Sequence, residues 1–309
     1  MAKTQKQPTY QDFLREFPDD DACLEHLMRV RYGDRHECVG CGKSAHYYRA
    51  KKRQAYACEY CGYQVYPKAG TPFEKSRTSL HSWFFAMFLF CASRNGVSAK
   101  EIERQIGVTY KTAWRMARLI REYMTDVDGD APLGGPGGKI VEADKAFIGG
   151  VDKGSRGPVG DKSIVLGMVE RDGEILTWVI PHRGRKAVRP IIQSFVKEGT
   201  HINTDEARAF MNLDDFGYRH STVNHAKDEY VRGDVHTNTI EGFWGLFKGA
   251  YRGTYVHLSE KYLPLYLGEF EYRWNLRKQP HLMFPILLQA FSRPERRTPS
   301  VSEAGQSVA

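Results

Sequence analysis

Apolar residues recur at helical spacing from Leu80 to Met124, and the pattern breaks at RNGVS and again at GVTY, which predicts three helices in a row. Ser98 followed three residues later by Glu101 is a capping box for the middle helix, and Gly107 after Ile106 supplies its stop. Upstream, between Cys38 and Tyr66, runs such as HYYRA and QAYACEYCGYQVYP read as small strands and turns. Beyond Lys139 the period shortens, and KIVEADKAFIGG, SIVLGMVER and EILTWVIPH read as strands. Arg171-Asp172-Gly173 lies between the last two, with Asp-Gly as a two-residue hairpin signal. AVRPIIQSFVKEG is an amphipathic helix, THINTDE a strand and YRHSTVNH a weaker one. TNTIEGFWGLFKGAY and EKYLPLYLGEFEYRWNLR close the pattern as helices.

This pattern divides the chain. Residues 1–35 form an N-terminal helical segment, 36–70 a cysteine-bearing ribbon and 78–125 the helical triplet. The stretch 126–138 is rich in Gly, Pro and Asp and is assigned as a linker, 139–292 as an α/β body, and the polar residues 293–309 as a disordered tail. With 41% apolar and 27% charged positions in 309 residues the composition is globular, which excludes fibrous and wholly disordered readings. No apolar run approaches the ~18 residues of a membrane span, and the polar start lacks the plan of a signal peptide, so a soluble, intracellular protein is expected. Charge sharpens the division: residues 1–125 carry 21 Lys and Arg against 13 Asp and Glu, whereas residues 126–309 carry 24 of each. A polyanion-binding front end followed by a neutral body is the expectation.

Cys38-Val-Gly-Cys41 and Cys58-Glu-Tyr-Cys61 are two C-x2-C units separated by 16 residues, the spacing of a zinc ribbon. Four thiolates leave Zn²⁺ no open position, so this metal is expected to be structural; His36 and His46 are not needed. Cys23 and Cys91 have no partner nearby in sequence and read as core residues. Lys51, Lys52 and Arg53, with Arg49 beside them and tyrosines interleaved, suit phosphate contacts. The second and third helices of the triplet, joined by Gly107–Tyr110, read as a helix-turn-helix. Lys111, Thr112, Arg115 and Arg118 would meet DNA, and Arg121 continues the basic series.

The body carries three acids where two-metal phosphoryl transfer would need them: Asp144 in the first strand, Asp205 ending THINTDE, and Glu241 on the helix TNTIEGFWGLFK. Three strands, a helix, a strand with the second Asp and a late helix with the third acid describe an RNase H-like α/β fold. Hard oxygen ligands suit two Mg²⁺ ions, with Mn²⁺ as a substitute. Glu142 shares a face with Asp144, so either could be the ligand. Asn238, one turn before Glu241, could supply the third position instead. Lys248 lies about two turns beyond Glu241 and could hold a phosphate, and His236 is a possible accessory group.

In this order, CVGC…CEYC, the helical triplet, VEADKAFIGG, INTDEARAF and VHTNTIEGFWGLFKGAY resemble a bacterial insertion-sequence DDE transposase with an N-terminal zinc ribbon, the IS-fifteen-ninety-five family. The family more usually has an acid directly after the first Asp, where this chain has Lys145. The resemblance implies metal binding by Asp144 and Asp205, a third ligand from Glu241 or Asn238, and assistance from Lys248. It implies hydrolysis at the ends of a mobile element and joining of the exposed 3′-hydroxyl to target DNA. The partners would be duplex DNA at terminal inverted repeats and target, the active form at least a homodimer, and the location the bacterial cytoplasm at the nucleoid. A DNA-binding regulatory scaffold with a decayed body, or an RNase H-type nuclease, are the other readings.

Overall fold

The computed structural model describes residues 6–129, 131–149, 162–223 and 231–292. The chain is a mixed α/β protein that divides into two units. Of the described residues, the first comprises 6–93, 99–123 and 279–292, and the second comprises 94–98 and 124–278. The disordered tail assigned to 293–309 lies outside the described residues, as do residues 1–5 and the end of the YRHSTVNH strand. Among the described residues no helix is long and apolar enough to cross a membrane.

In the first unit, α1 (Tyr10–Glu16) begins with a capping box between Thr9 and Asp12, and α2 (Asp20–Tyr32) is capped by Asp19. The ribbon follows: β1 (His36–Glu37) pairs with β2 (Ser44–Ala45), and β3 (Tyr47–Arg49), β4 (Tyr56–Cys58) and β5 (Gln64–Val65) form an antiparallel sheet. Helices α3 (Leu80–Ala92), α4 (Ala99–Ile106) and α5 (Tyr110–Asp128) match the predicted triplet, with Gly107 at φ +75° ending α4. Aromatic side chains make the core. Phe13 lies 5.2 Å from Phe88 and Phe17 stands edge-on to Phe84 at 5.0 Å, ring centre to ring centre. Cys23 and Cys91 are buried there as expected.

The second unit is a five-stranded sheet in the order β10-β9-β6-β7-β8. Its strands are β6 (Ile140–Ile148), β7 (Ser163–Glu170), β8 (Ile175–Ile180), β9 (His201–Asp205) and β10 (Arg219–Val223). The first three in sequence are antiparallel; β9 is parallel to β6 and β10 to β9. Helix α6 (Arg185–Phe195) covers one face through Ala187, Val188 and Ile192, packed with Val141, Ala143 and Leu166. After the hairpin β11 (Val231–Arg232) and β12 (Val235–His236), helices α7 (Asn238–Ala250) and α8 (Leu263–Asn275) cover the other face. There Ile240, Phe243, Trp244 and Phe270 meet Ala146, Val165 and Val169. Alternation along β6 therefore assigns even-numbered residues to the α7 face and odd-numbered ones to the α6 face.

Three sequence expectations change. The last helix, α9 (Met283–Phe291), belongs to the first unit rather than to the body, because Phe284 packs on Phe13 and Phe17, and Phe291 stacks on Tyr123 at 4.0 Å. The segment assigned as a linker is built into the second unit. Leu133 is buried and bonded both ways to the end of α6 (Leu133 N to Phe195 O, 2.8 Å; Lys197 N to Leu133 O, 3.0 Å), and the Gly134 N–H meets Glu170 at 2.8 Å. A Gly/Pro-rich composition reports irregular backbone, not freedom from contact. The β7–β8 turn takes in three residues, Arg171 to Gly173. Asp172 occupies the left-handed region at φ +58°, and Glu170 bonds Glu174 across the base.

Candidate functional site

The ribbon's two cysteine pairs sit on identical backbone turns. Gly42 and Gly62, at φ +69° and +72°, donate their N–H groups to the carbonyls of Cys38 and Cys58, and each of those cysteines donates in turn to the residue five positions on. All four sulfurs, from Cys38, Cys41, Cys58 and Cys61, lie within 4.8 Å of one another. The Tyr47 hydroxyl and the N–H groups of Cys41 and Gly40 favour the Cys38 thiolate and bring its pKa down to about 6. The Tyr63 N–H favours the Cys61 thiolate, but desolvation among the crowded sulfurs and the hydrogen bonds that the Cys61 S–H donates to Cys38, Cys41 and Cys58 outweigh it and push Cys61 up to about 12. Crowded thiols that cannot all ionise together are the donor set that a soft divalent cation relieves, so the residues fit structural zinc.

Beside the ribbon site, Lys51, Lys52 and Arg53 are exposed on the β3–β4 turn. Arg49 is not available with them, since its guanidinium reaches Asp21 at 2.7 Å and bonds the carbonyls of Ala50 and Arg53. On α5, Lys111 and Arg115 are exposed and Thr112 is half-buried, its N–H 3.4 Å from the Thr109 hydroxyl. Arg118 is exposed but pairs with Glu122 at 2.8 Å. Arg121 departs from the sequence reading: it is 3% exposed, with its guanidinium 5.0 Å from the centre of the Phe90 ring, and belongs to the core.

In the second unit the parallel register of β6 and β9 pairs Glu142 with Asn203 and Ala143 with Thr204. One step further along the two strands stand Asp144 and Asp205, side by side on the α7 face. Burial, the neighbouring Asp205 charge and a smaller contribution from Glu241 raise Asp144 to about 6, against the opposing Lys145 N–H and ammonium. Opposite Asp144 on β7 is Gly167, where a Cβ would stand 2.5 Å from Trp244 and 2.9 Å from Ile240. This bare backbone lets α7 lie close over Asp144. Glu241, one turn into α7, accepts a hydrogen bond from the Thr237 hydroxyl at 2.8 Å. Asn238 is exposed at the start of α7, and Lys248 is half-buried two turns beyond Glu241.

The structure separates two acids that the sequence left equivalent. Glu142 is fully buried, and its oxygens are occupied by Arg171, by Thr239 and by the Ile240 N–H, whereas Asp144 is only partly covered. Lys145 points to the opposite face, its ammonium 4.2 Å from the centre of the Phe210 ring. Among the described residues the cysteines are the set already closed to one ion's ligand shell. The hard oxygen donors of Asp144, Asp205 and Glu241, grouped so that one is pushed towards protonation, suit a hard divalent cation. Missed in the sequence were Gly167, whose signal was a lone glycine inside a strand, and Arg171, hidden in the turn.

Residues 132–275 match the family described as ISXO2-like transposase domain, and residues 18–64 match the transposase zinc-ribbon domain. An uncharacterized protein in transposable element ISH50 of Halobacterium salinarum is 25% identical over 291 residues, which span 86% of this chain and 95% of that protein. An uncharacterized transposase-like protein of Haemophilus influenzae is 28% identical over 102 residues, 33% of this chain and 81% of its own length.

Proposed function

Because the chain belongs to the insertion-sequence transposases that join a zinc ribbon to an ISXO2-like transposase domain, we propose that it cuts the ends of its own element and joins them to target DNA. The observation that carries this reading is the pairing of β6 with β9, which sets Asp144 beside Asp205 under α7, with the Glu241 charge acting on Asp144. Two Mg²⁺ ions, or Mn²⁺ in their place, held by Asp144, Asp205 and Glu241 would supply a nucleophile at neutral pH and neutralise the leaving oxygen. Glu241 is taken as the third ligand, with Asn238 as the alternative, because a carboxylate brings both hard oxygens and the negative charge that a divalent cation prefers. Lys248 holds a DNA phosphate further along α7. The sheet order, with three antiparallel strands and two parallel ones between helices on both faces, is the arrangement read as RNase H-like.

The front half recognises DNA. As a helix-turn-helix, α4 crosses the backbone and α5 enters the major groove by Lys111, Thr112 and Arg115, with Arg118 further along. The ribbon turn Lys51–Arg53 adds phosphate contacts, and together these bind the element's terminal inverted repeats. Two ends must be processed together, so the active complex is a homodimer or larger.

The test is to incubate the purified protein with a labelled duplex carrying its element's end, a supercoiled plasmid and Mg²⁺. Labelled end joined to plasmid, lost in Asp144→Ala, Asp205→Ala and Glu241→Ala, is the expected result. Joining retained in Glu241→Ala but lost in Asn238→Ala would move the third ligand. Specific binding without cleavage in Mg²⁺ or Mn²⁺ would overturn the reading in favour of a regulatory scaffold, and cleavage without joining in favour of a nuclease.

A further inference from the structure

Glu142 lies two residues before Asp144 on the same face of β6 and is fully buried. One carboxylate oxygen accepts the backbone N–H groups of Thr239 at 2.8 Å and Ile240 at 3.2 Å. The other accepts the Thr239 hydroxyl at 2.9 Å and Arg171 Nε at 2.7 Å, and His236 Nδ1 lies 3.2 Å away. Arg171 also donates to the His236 carbonyl at 3.2 Å. The first turn of a helix has backbone N–H groups with no partner within the helix, and a capping side chain from the preceding residue ordinarily takes one. Here the preceding residue, Thr237, turns its hydroxyl to Glu241, and a carboxylate from the sheet takes two of the N–H groups instead. A charged acceptor at the positive end of a helix makes a strong attachment.

From this geometry we infer that Glu142 is a positioning residue. By fastening the first turn of α7 to β6 next to Asp144, it sets the placement of Glu241 relative to Asp144 and Asp205. The inference rests on the functional reading above. Glu142 acts through α7 and not as a metal ligand, since its oxygens are already occupied by α7 and Arg171. Arg171 is the counter-charge that lets a carboxylate be buried there.

The test uses the full-length protein and two variants, Glu142→Gln and Thr239→Val. Mn²⁺ affinity is measured by calorimetry on protein that keeps its zinc and has been freed of Mg²⁺ by dialysis, alongside joining rate, affinity for end DNA and melting temperature. Expected is a loss of about 10- to 100-fold in Mn²⁺ affinity for Glu142→Gln, with joining reduced and end-DNA affinity unchanged. Thr239→Val, which leaves every acid in place and removes one attachment of α7, shifts Mn²⁺ affinity in the same direction by a smaller factor, and it decides the matter if Glu142→Gln does not fold. Lower melting temperatures with Mn²⁺ affinity and joining within twofold of the parent would overturn the inference, leaving Glu142 a purely structural residue. A Mn²⁺ defect in Glu142→Gln alone, with Thr239→Val unchanged, would also overturn it by making Glu142 a direct ligand. If the parent protein neither bound Mn²⁺ nor joined DNA, the functional reading itself would fall and this inference with it.

Discussion

Gly167→Ala separates close packing of α7 from mere helix content. The new methyl would lie 2.5 Å from Trp244 Cζ2, 2.9 Å from Ile240 Cδ1 and 3.0 Å from Trp244 Cη2. Ordinary carbon contacts begin near 3.4 Å, so the indole must retreat by about 1 Å. Trp244 is 3% exposed and its ring centre lies 5.2 Å from that of Phe243, so the ring cannot swing aside and the helix must move with it. Overpacking of this kind costs about 1–3 kcal/mol, and for a domain of this size each kcal/mol lowers the melting temperature by about 2–4 °C. Misplacing a reacting group by about 1 Å costs about 100-fold in rate, and Gly167 faces Asp144 in register while α7 carries Glu241. The expected result is a folded protein with joining down by about two orders of magnitude and end-DNA affinity unchanged, read by the plasmid-joining assay and by thermal melting. Gly249→Ala is the control, on the same helix with open space around the added methyl; it should raise stability by about 0.5–1 kcal/mol. Parental joining by Gly167→Ala at parental stability would refute the packing argument.

Asp144 links the site to pH. Its pKa is raised to about 6 from 3.8, so the folded state holds a proton that the unfolded state releases, and stability falls as pH rises between those values. Asp144→Asn should therefore stabilise the protein free of Mg²⁺ at pH 7 by about 3 kcal/mol at most, with the difference gone below about pH 4; a difference that grows on acidification would contradict the sign. Stripping zinc with a strong chelator should unfold the ribbon, while withdrawal of Mg²⁺ alone stops chemistry and leaves the fold. Circular dichroism and metal analysis would check this, one zinc per chain being expected, and a ribbon still folded without metal would count against a structural role. Lys111→Ala and Arg115→Ala should each weaken end-DNA binding and reduce its salt dependence by about one ion, measured by titration at several salt concentrations; an unchanged slope would remove α5 from the interface.

Short-range features were legible in the sequence because spacing along the chain dictates them. Two C-x2-C units with glycine just beyond each pair already imply matching turns and a four-sulfur cluster, and Gly107 already ends α4. The order of strands and helices likewise foretold an α/β body carrying Asp144 and Asp205 on strands. What spacing could not say is which groups a distant segment would occupy. Glu142 and Asp144 are equivalent by alternation, and only the arrival of α7 and Arg171 from about 100 and 30 positions away buries one and leaves the other partly open. Arg121 and Arg49 look like their basic neighbours until Phe90 and Asp21 claim them. The Gly/Pro stretch looks free until Leu133 bonds to the end of α6, and α9 looks like part of the body until Phe284 finds Phe13. Local pattern determines what each segment can be. Burial and pairing depend on partners far along the chain, so the tertiary structure alone decided which charges are spent on the fold and which remain for chemistry.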